Sequence, residues 1–403
     1  MTAIRVHVDS STRAAPVGTA RITRVRGVDT TEFTYDEGFL SGPGWAVSPD
    51  LPVRTGRAVV EGLPGALDDS APDSWGRNLI TRRLASQARD AGHPAATPTE
   101  LDFLLGVTDV GRQGALRFCL DDSAPFLAES GAVPRLVELE TLVEAARTVA
   151  EGTDARADDA IAVLLAAGSG SLGGARPKAS VVDGRTLYVA KFPHPDDRWD
   201  VMRWEAVALD LAAECGLRTP PRRLIEVGSE PVLLVERFDR DGSRRVPYLS
   251  ARSLIGARGG DRFDYLEVVD ALTEHGSDVD ADLVELWRRI AFSIAINNTD
   301  DHLRNHAVLR GPGGWTLSPI FDVNPDRRPS APRATSVAGA TAAEECLQAL
   351  FDTADQFGLD PTAAKRLWRD LLAMTTGWRT FASRHGISHA AQGEFAPALD
   401  RWS

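Results

Sequence analysis

Cysteine is nearly missing from this sequence. Cys119, Cys215 and Cys346 are odd in number, far apart, and form no CxxC or Cys/His cluster. A disulfide framework or a zinc site is therefore not expected, and a reducing compartment fits. Lysine is scarce too, and the formal net charge is -12. That balance argues against a large duplex DNA or RNA surface, because phosphate contacts need clustered Lys and Arg. No apolar run approaches the ~20 residues of a membrane span. The opening MTAIRVHVDSSTRAAPVG has no apolar h-region, so no secretory signal is visible. The expected location is cytoplasmic, with no membrane partner.

What is present is globular in character. Hydrophobic residues make up 43% of the 403, enough for a sizeable core and for two or three domains. No internal repeat is evident. Alternating runs such as AIRVHV and TEFTYD predict short strands near the start, with turns at Gly42-Pro43-Gly44 and Pro49-Asp50. Pro72 opens and Gly92 closes a helical run, WGRNLITRRLASQARDAG. Ser123 to Pro134 reads as a linker before the helix LVELETLVEAARTVAEG. A β-hairpin is expected where KASVV and TLYVAKFP flank Asp183-Gly184, then a helix RWEAVALDLAAECGL ending at Gly216. From Ser250 on the chain reads mostly helical, including one long helix over PTAAKRLWRDLLAMTTGWRTFASRHG. The order is strand-rich first and helix-rich second, an α+β pattern.

The strongest chemical constellation is Asn298-Thr299-Asp300-Asp301-His302-Leu303-Arg304-Asn305, followed by Ser318-Pro319-Ile320-Phe321-Asp322. It stands where an apolar helix, LWRRIAFSIAI, runs out. Phosphoryl transfer needs this set: one carboxylate to orient and deprotonate the attacking hydroxyl, and an amide with a second carboxylate to hold magnesium. Kinases use Asp-x4-Asn and a later Asp for these roles. The plainer alternative is a polar helix cap and turn. Asp301 reads as either metal-linked or solvated. His302 reads as a structural hydrogen-bonding group, and Asn298 and His306 as weak candidates.

A Gly/Ser loop, Gly168-Ser169-Gly170-Ser171-Leu172-Gly173-Gly174, precedes Lys178. Glycines let backbone N–H groups approach phosphate oxygens, although the order is neither a Walker loop nor GxGxxG. Lys191, in VAKFP, suits the α- and β-phosphates, and Glu205 on the next helix could pair with it. In LLVERFDR an apolar strand breaks into charge, either as a hinge offering its backbone to adenine, flanked by Glu236 and Phe238, or as a strand end with surface charges. Trp199, Trp204 and Trp287 are expected to pack. The acidic run DVDADLVE reads as a solvated face.

These residues resemble one family. SLGGARPKASVV, VAKFP, WEAVALDLAAECGL, LLVERFDR, NNTDDHLRNH and LSPIFDVNP occur in the order found in HipA-like kinases, the toxin components of bacterial type II toxin–antitoxin systems. FTYDEGFL, AVSPDLP, PDSWGRNLI, VGRQGAL and EFAPAL extend the likeness over nearly the whole chain. The resemblance implies an α+β, protein-kinase-like two-lobe fold with an extra N-terminal α/β subdomain and a mostly helical C-terminal lobe. Its implied divisions are 1–125, 126–245 with the Gly-rich loop and hinge, and 246–403. It implies ATP and Mg2+, with Asp300 as catalytic base, Asn305 and Asp322 as metal ligands, and Lys191, Lys178, Gly170, Ser171, Gly173, Gly174, Glu236 and Phe238 at the nucleotide. It implies autophosphorylation of a loop serine, Ser171 or alternatively Ser169. Implied partners are a protein substrate, such as an aminoacyl-tRNA synthetase, and a helix-turn-helix antitoxin through which DNA is contacted indirectly. Asp301 stands where some relatives carry Gly or Ala. Two other readings remain: a small-molecule phosphotransferase, or a pseudokinase acting as co-repressor with a DNA-binding partner.

Overall fold

The computed structural model describes residues 2–9, 14–42, 44–121, 125–126, 133–152, 155–169, 174–257 and 263–402. Most of the expected linker 123–134, and loop residues Gly170, Ser171, Leu172 and Gly173, lie outside the described residues. The chain forms two compact units, Met1–Asp196 with Ile225–Leu249, and Asp197–Leu224 with Ser250–Ser403.

The first unit holds two sheets. β1 (Thr2–Asp9), β2 (Ala14–Val25), β3 (Val28–Tyr35), β4 (Arg57–Glu61) and β5 (Leu116–Cys119) form an antiparallel sheet in the order β4-β3-β2-β1-β5. In β3 every second residue, Asp29, Thr31, Phe33 and Tyr35, is buried, which is the period of a strand with one covered face. α1 (Ser74–Asp90) starts at the Asp73 N-cap, after Pro72, and is followed by Gly92 in the left-handed region, as the punctuation predicts. α2 (Leu139–Glu151) buries Leu139, Leu142, Ala145, Ala146 and Val149, one stripe at helical spacing. α3 (Ala155–Ala166) carries no expectation from the sequence, yet its buried Ala157, Ala160, Ile161, Leu164 and Leu165 show the same spacing. Both helices share a core with β6 (Lys178–Asp183), β7 (Thr186–Lys191) and β9 (Glu230–Glu236), strands of a sheet ordered β6-β7-β9-β8, with β8 spanning Arg222–Val227.

Two charges of LLVERFDR, Arg237 and Asp239, are not on the surface. Arg237 and Asp239 are 5% and 3% exposed. Asp239 accepts from Arg237 at 2.6 and 2.9 Å, from Arg240 at 2.8 Å and from the Gly114 N–H at 2.8 Å. Arg237 donates onward to the carbonyls of Gly111 and Arg112, and Arg240 to that of Arg112. The VGRQG and ERFDR segments are thus two halves of one buried network. A second buried carboxylate, Asp109, takes Arg117 and Arg245. Burial alone would raise Asp109 and Asp239, but their arginines outweigh it and hold both carboxyls below the usual range.

Removing Asp239 would leave two buried guanidinium groups without a counter-charge. Asp239→Ala is expected to cost about 3–5 kcal/mol in urea unfolding. The same groups set the acid limit. Their folded pKa values are depressed, so their contribution is complete above the unfolded value of about 4 and is lost as pH falls further. Thermal melts of the intact protein should be flat from pH 8 to 5 and fall below about pH 4. A smaller acid loss is expected in Asp239→Ala; an identical one would remove Asp239 from the account.

The second unit is built on α6 (Val279–Ala295), after α4 (Val201–Glu214) and α5 (Tyr265–His275). From Arg289 to Ala295 every residue of α6 is buried. Of the acidic run, Asp278 and Asp280 are solvated as expected, but Asp282 and Glu285 are 2% and 7% exposed. Asp282 accepts from Arg218 at 2.7 Å and from the Leu317 N–H at 2.9 Å. Glu285 holds Arg289 at 2.9 Å, and Arg289 reaches the Ser318 carbonyl. These buried charges fix the end of the hairpin β10 (Ala307–Gly311) and β11 (Gly314–Leu317) against α6. Past it, the Ile320 N–H bonds the Arg218 carbonyl at 2.8 Å.

The unit continues as α7 (Ala343–Asp352), α8 (Pro361–Thr375), α9 (Trp378–Arg384) and α10 (His389–Leu399). The single long helix expected from Pro361 is therefore two, broken at Thr376-Gly377, where Gly377 becomes the residue that precedes α9. α10 carries no expectation from the sequence, and its Pro397 masks it as a helix. Trp204 stacks on Phe395 with centroids 3.9 Å apart, and Trp287 donates to the Leu350 carbonyl, so both pack. Among the described residues no helix is long and apolar enough to cross a membrane, and the three cysteines are free.

Candidate functional site

The candidate basic residues lie in the first unit. The sequence has three lysines, Lys178, Lys191 and Lys365, among 45 Lys and Arg. Two of them, Lys178 on β6 and Lys191 on β7, are direct register partners and are 4% and 8% exposed. Partners in an antiparallel pair share a face, and like charges opposed there are destabilising. Negative charge must be supplied to this face, by carboxylates, a ligand or both. Lys191 is thus no exposed strand lysine.

The described end of the Gly/Ser loop lies beside Lys178. Gly174 has φ +96, and a Cβ on it would stand 2.5 Å from the Lys178 Nζ. Its N–H is donated to Asp73 Oδ2 at 2.7 Å, while its carbonyl accepts from the Trp75 N–H at 3.4 Å. The N-terminus of α1 therefore anchors the loop, and the Gly174 N–H is engaged by protein. At the other end Ser169 is fully buried and its hydroxyl donates to the Lys178 carbonyl. Gly170, Ser171 and Gly173 lie outside the described residues.

At the end of β9, burial alternates. Arg237 and Asp239 face inward, while Glu236 and Phe238 are half-buried on the opposite side. Glu236 is the register partner of Tyr188, and the Phe238 ring stacks with Tyr248 at 6.5 Å.

The candidate carboxylates lie in the second unit. α6 has its C-cap at Ile296 and is closed by Asn297 just beyond it, at φ +53, with the Asn298 N–H on the Ser293 carbonyl and the Asn297 N–H on that of Ile294. Glycine would be the usual residue there. Asn297 uses its side chain as well, donating to the carbonyls of Asp326 and Arg328 at 2.7 and 3.0 Å. The Thr299 hydroxyl donates to Asp326 at 2.9 Å. The Asn297 turn thus ends α6 and launches the loop carrying Asp300.

Asp300 is exposed amid buried neighbours. The Asn305 Nδ2 donates to the Asp300 carbonyl at 3.0 Å, and the Asn305 N–H to that of His302 at 2.8 Å. The other amide atom of Asn305, Oδ1, is the type a hard cation takes. Asp322 is half-buried and has φ +53, a left-handed backbone that a non-glycine residue holds at a cost of about 1 kcal/mol or more.

Asp301 is neither solvated nor available to a metal. It is 3% exposed, and its oxygens accept from Tyr265 at 2.5 Å, Arg333 at 2.7 Å and His306 at 2.8 Å. Burial would raise its carboxyl, but His306, Arg333 and Tyr265 more than reverse this and hold it well below the usual range. Sequence reasoning misses Tyr265 and Arg333, which lie far from Asp301 in the chain. Glu205 is buried on α4.

Residues 170–378 match the family described as HipA-like C-terminal domain, and residues 11–94 match HipA N-terminal domain. A Haemophilus influenzae protein named "Putative kinase" is 24% identical over 151 residues, 34% of this chain and 44% of its own length. "Putative kinase Y4mE" of Sinorhizobium fredii is 23% identical over 216 residues, 49% and 43% respectively. The chain thus matches less than half the length of these curated relatives. HipA of Shewanella oneidensis MR-1, solved with HipB and operator DNA of its toxin–antitoxin system, has a TM-score of 0.64 over 99% of this chain and 95% of its own, at 14% identity. That likeness is one of fold: an α+β, kinase-like architecture with strand-rich and helix-rich lobes.

Proposed function

The chain belongs to the HipA-like family, and from that premise we propose that it is a Mg-ATP-dependent serine/threonine protein kinase. The observation that carries this reading is the facing pair Lys178 and Lys191. In a chain that places Arg at nearly every other basic position, two buried ammonium groups on one sheet face, beside a glycine loop, suit a polyphosphate.

Lys191 and Lys178 would bind the phosphates, and residues of the Gly168–Gly174 loop would cover them. Glu236 and Phe238 would meet the adenine. Asn305 and Asp322 offer an amide and a carboxylate oxygen, a donor set suited to Mg2+ with the remaining ligands coming from phosphate and water. Among the described residues no group of three or more His, Cys, Asp or Glu is placed to hold a metal alone. Bound there, Mg2+ would neutralise charge developing on the phosphate oxygens. Asp300 orients the hydroxyl of a Ser or Thr substrate and takes its proton. The hydroxyl oxygen bonds to the γ-phosphorus as the bond to the β-phosphate oxygen breaks, releasing ADP. With Ser169 buried, Ser171 is the proposed autophosphorylation site. A HipB-like antitoxin is the proposed partner, with DNA reached through it, in a cytoplasmic setting.

The test is transfer of labelled phosphate from Mg-ATP, with purified protein alone and with a cell lysate, followed by phosphoamino-acid analysis. Phosphoserine or phosphothreonine on a protein band supports the reading. Label only in small molecules would replace it with a small-molecule phosphotransferase. Nucleotide binding without transfer would leave a co-repressor acting through its partner.

The loop anchor makes a separate expectation. Asp73 uses one oxygen to cap α1 and the other to hold Gly174. Asp73→Asn keeps the cap but has a single oxygen to share. Loss of one hydrogen bond of ~1 kcal/mol should raise KM for ATP about fivefold, with kcat little changed. Initial rates against ATP concentration measure this, and an unaltered KM would remove Asp73 from the support of the loop.

A further inference from the structure

The loop bearing Asp300 is gripped by one distant segment, Arg333-Ala334-Thr335. Four successive carbonyls, from Asn298 to Asp301, each accept a hydrogen bond, three of them from this segment. Arg333 Nη1 donates to Asn298 at 2.9 Å, the Ala334 N–H to Thr299 at 2.9 Å, and Thr335 Oγ1 to Asp301 at 2.7 Å. The fourth, on Asp300 itself, takes Asn305 Nδ2. The other arm of Arg333, Nη2, pairs with the Asp301 carboxylate at 2.7 Å. Arg333 is 4% exposed, Thr335 1% and Tyr265, which also donates to Asp301, 0%.

From this geometry we infer that Arg333, with Asp301 as its counter-ion, is the positioning residue for Asp300, holding the Asn298 carbonyl before the base and the Asp301 carboxylate after it while touching no reacting atom. The inference rests on the kinase reading above and adds a regulatory consequence. The segment after Asp322 carries its own permanent cation, docked on the loop without any added phosphate. The loop is therefore held by these contacts without a modification of this segment.

The planar fork of Arg333 matters, because its two arms span the Asn298 carbonyl and the Asp301 carboxylate. A lysine ammonium is a single point donor and cannot span both. Asp301 in turn has its charge wholly inside protein, so Arg333 alone would be an uncompensated buried cation, whereas Asp301 alone would keep only Tyr265 and His306.

The experiment compares Arg333→Met, Arg333→Lys and the double variant Asp301→Asn/Arg333→Met with the intact protein. Arg333→Met should lose about 100-fold in kcat, as a displaced catalytic group does, with KM for ATP within about threefold, because the lysines are untouched. Arg333→Lys should recover part of kcat. The double variant removes both buried charges and should regain thermal stability but not kcat. Recovery of both would make the pair merely structural and overturn the inference. Hydrogen exchange at residues 298–303 reads the loop without any activity. It should quicken about tenfold in Arg333→Met and in the double variant, an opening-equilibrium change of one decade, and unchanged exchange would also overturn the inference. An intact protein that transfers no phosphate sinks the kinase reading instead, and exchange then decides the positioning role alone.

Discussion

Asp300→Asn is expected to lower phosphoryl transfer by about 10²–10⁴-fold, the usual contribution of a positioned general base, with thermal stability unchanged. Both halves follow from the loop. Asp300 is exposed between the buried Thr299 and Asp301, so its side chain supports no core. The backbone that carries it is fixed by neighbours that the substitution leaves in place: Asn305 on its carbonyl, Arg333 and Thr335 on either side. Asparagine matches the shape of aspartate and can orient a hydroxyl, but it has no basic oxygen to take the proton. The loss should therefore appear in kcat, with KM for ATP nearly constant. Single-turnover transfer and a thermal melt on the same preparation measure the two halves. Near-full activity in Asp300→Asn would remove it as base, and a large fall in melting temperature would show that the loop depends on this carboxylate for its shape.

The elements legible in the sequence are those whose signal is local. The hairpin at Asp183-Gly184 is punctuated by a glycine at φ +61, and α4 by Gly216 at φ +68, as their residue types require. As candidates, Asp300 and Asn305 stand out because polar residues follow an apolar helix, and Asp322 because it follows a short apolar strand. What was not legible depends on partners far away in the chain. Asp301 looks the same in sequence whether solvated or buried, and only the arrival of Arg333 and Tyr265 decides it. Arg333 lies in PSAPRATSVAG, which has no periodicity to mark a buried cation. Likewise nothing in the sequence marks Arg237 and Asp239 as buried until VGRQG, more than a hundred residues earlier, is seen to bond them. Neither α3 nor α10 is expected from the sequence: α3 has the spacing of a buried stripe, whereas in α10 Pro397 breaks the pattern without breaking the helix.

Lys191→Ala should cost about 10²–10³-fold in kcat/KM, the loss seen when one preorganised donor to a developing anion is removed, and should abolish most stabilisation by nucleotide. A ligand at 100 times its Kd stabilises a protein by about 2.7 kcal/mol, so an intact protein in saturating ATP has a measurable rise in melting temperature that the variant lacks. Lys191→Arg is the sharper test. A guanidinium keeps the charge but is a wide planar fork, and it would have to fit directly opposite Lys178 in a register where both side chains are buried. The chain uses Arg freely elsewhere, so charge alone does not account for an ammonium at this position. Lys191→Arg is therefore expected to remain at least about tenfold impaired, while Lys365→Ala, at an exposed position of α8, behaves as the intact protein. Full activity in Lys191→Arg would reduce Lys191 to a generic cation. Full activity and an undiminished nucleotide shift in Lys191→Ala would mean that the facing lysines do not bind phosphate, and the observation on which the kinase reading stands would be gone.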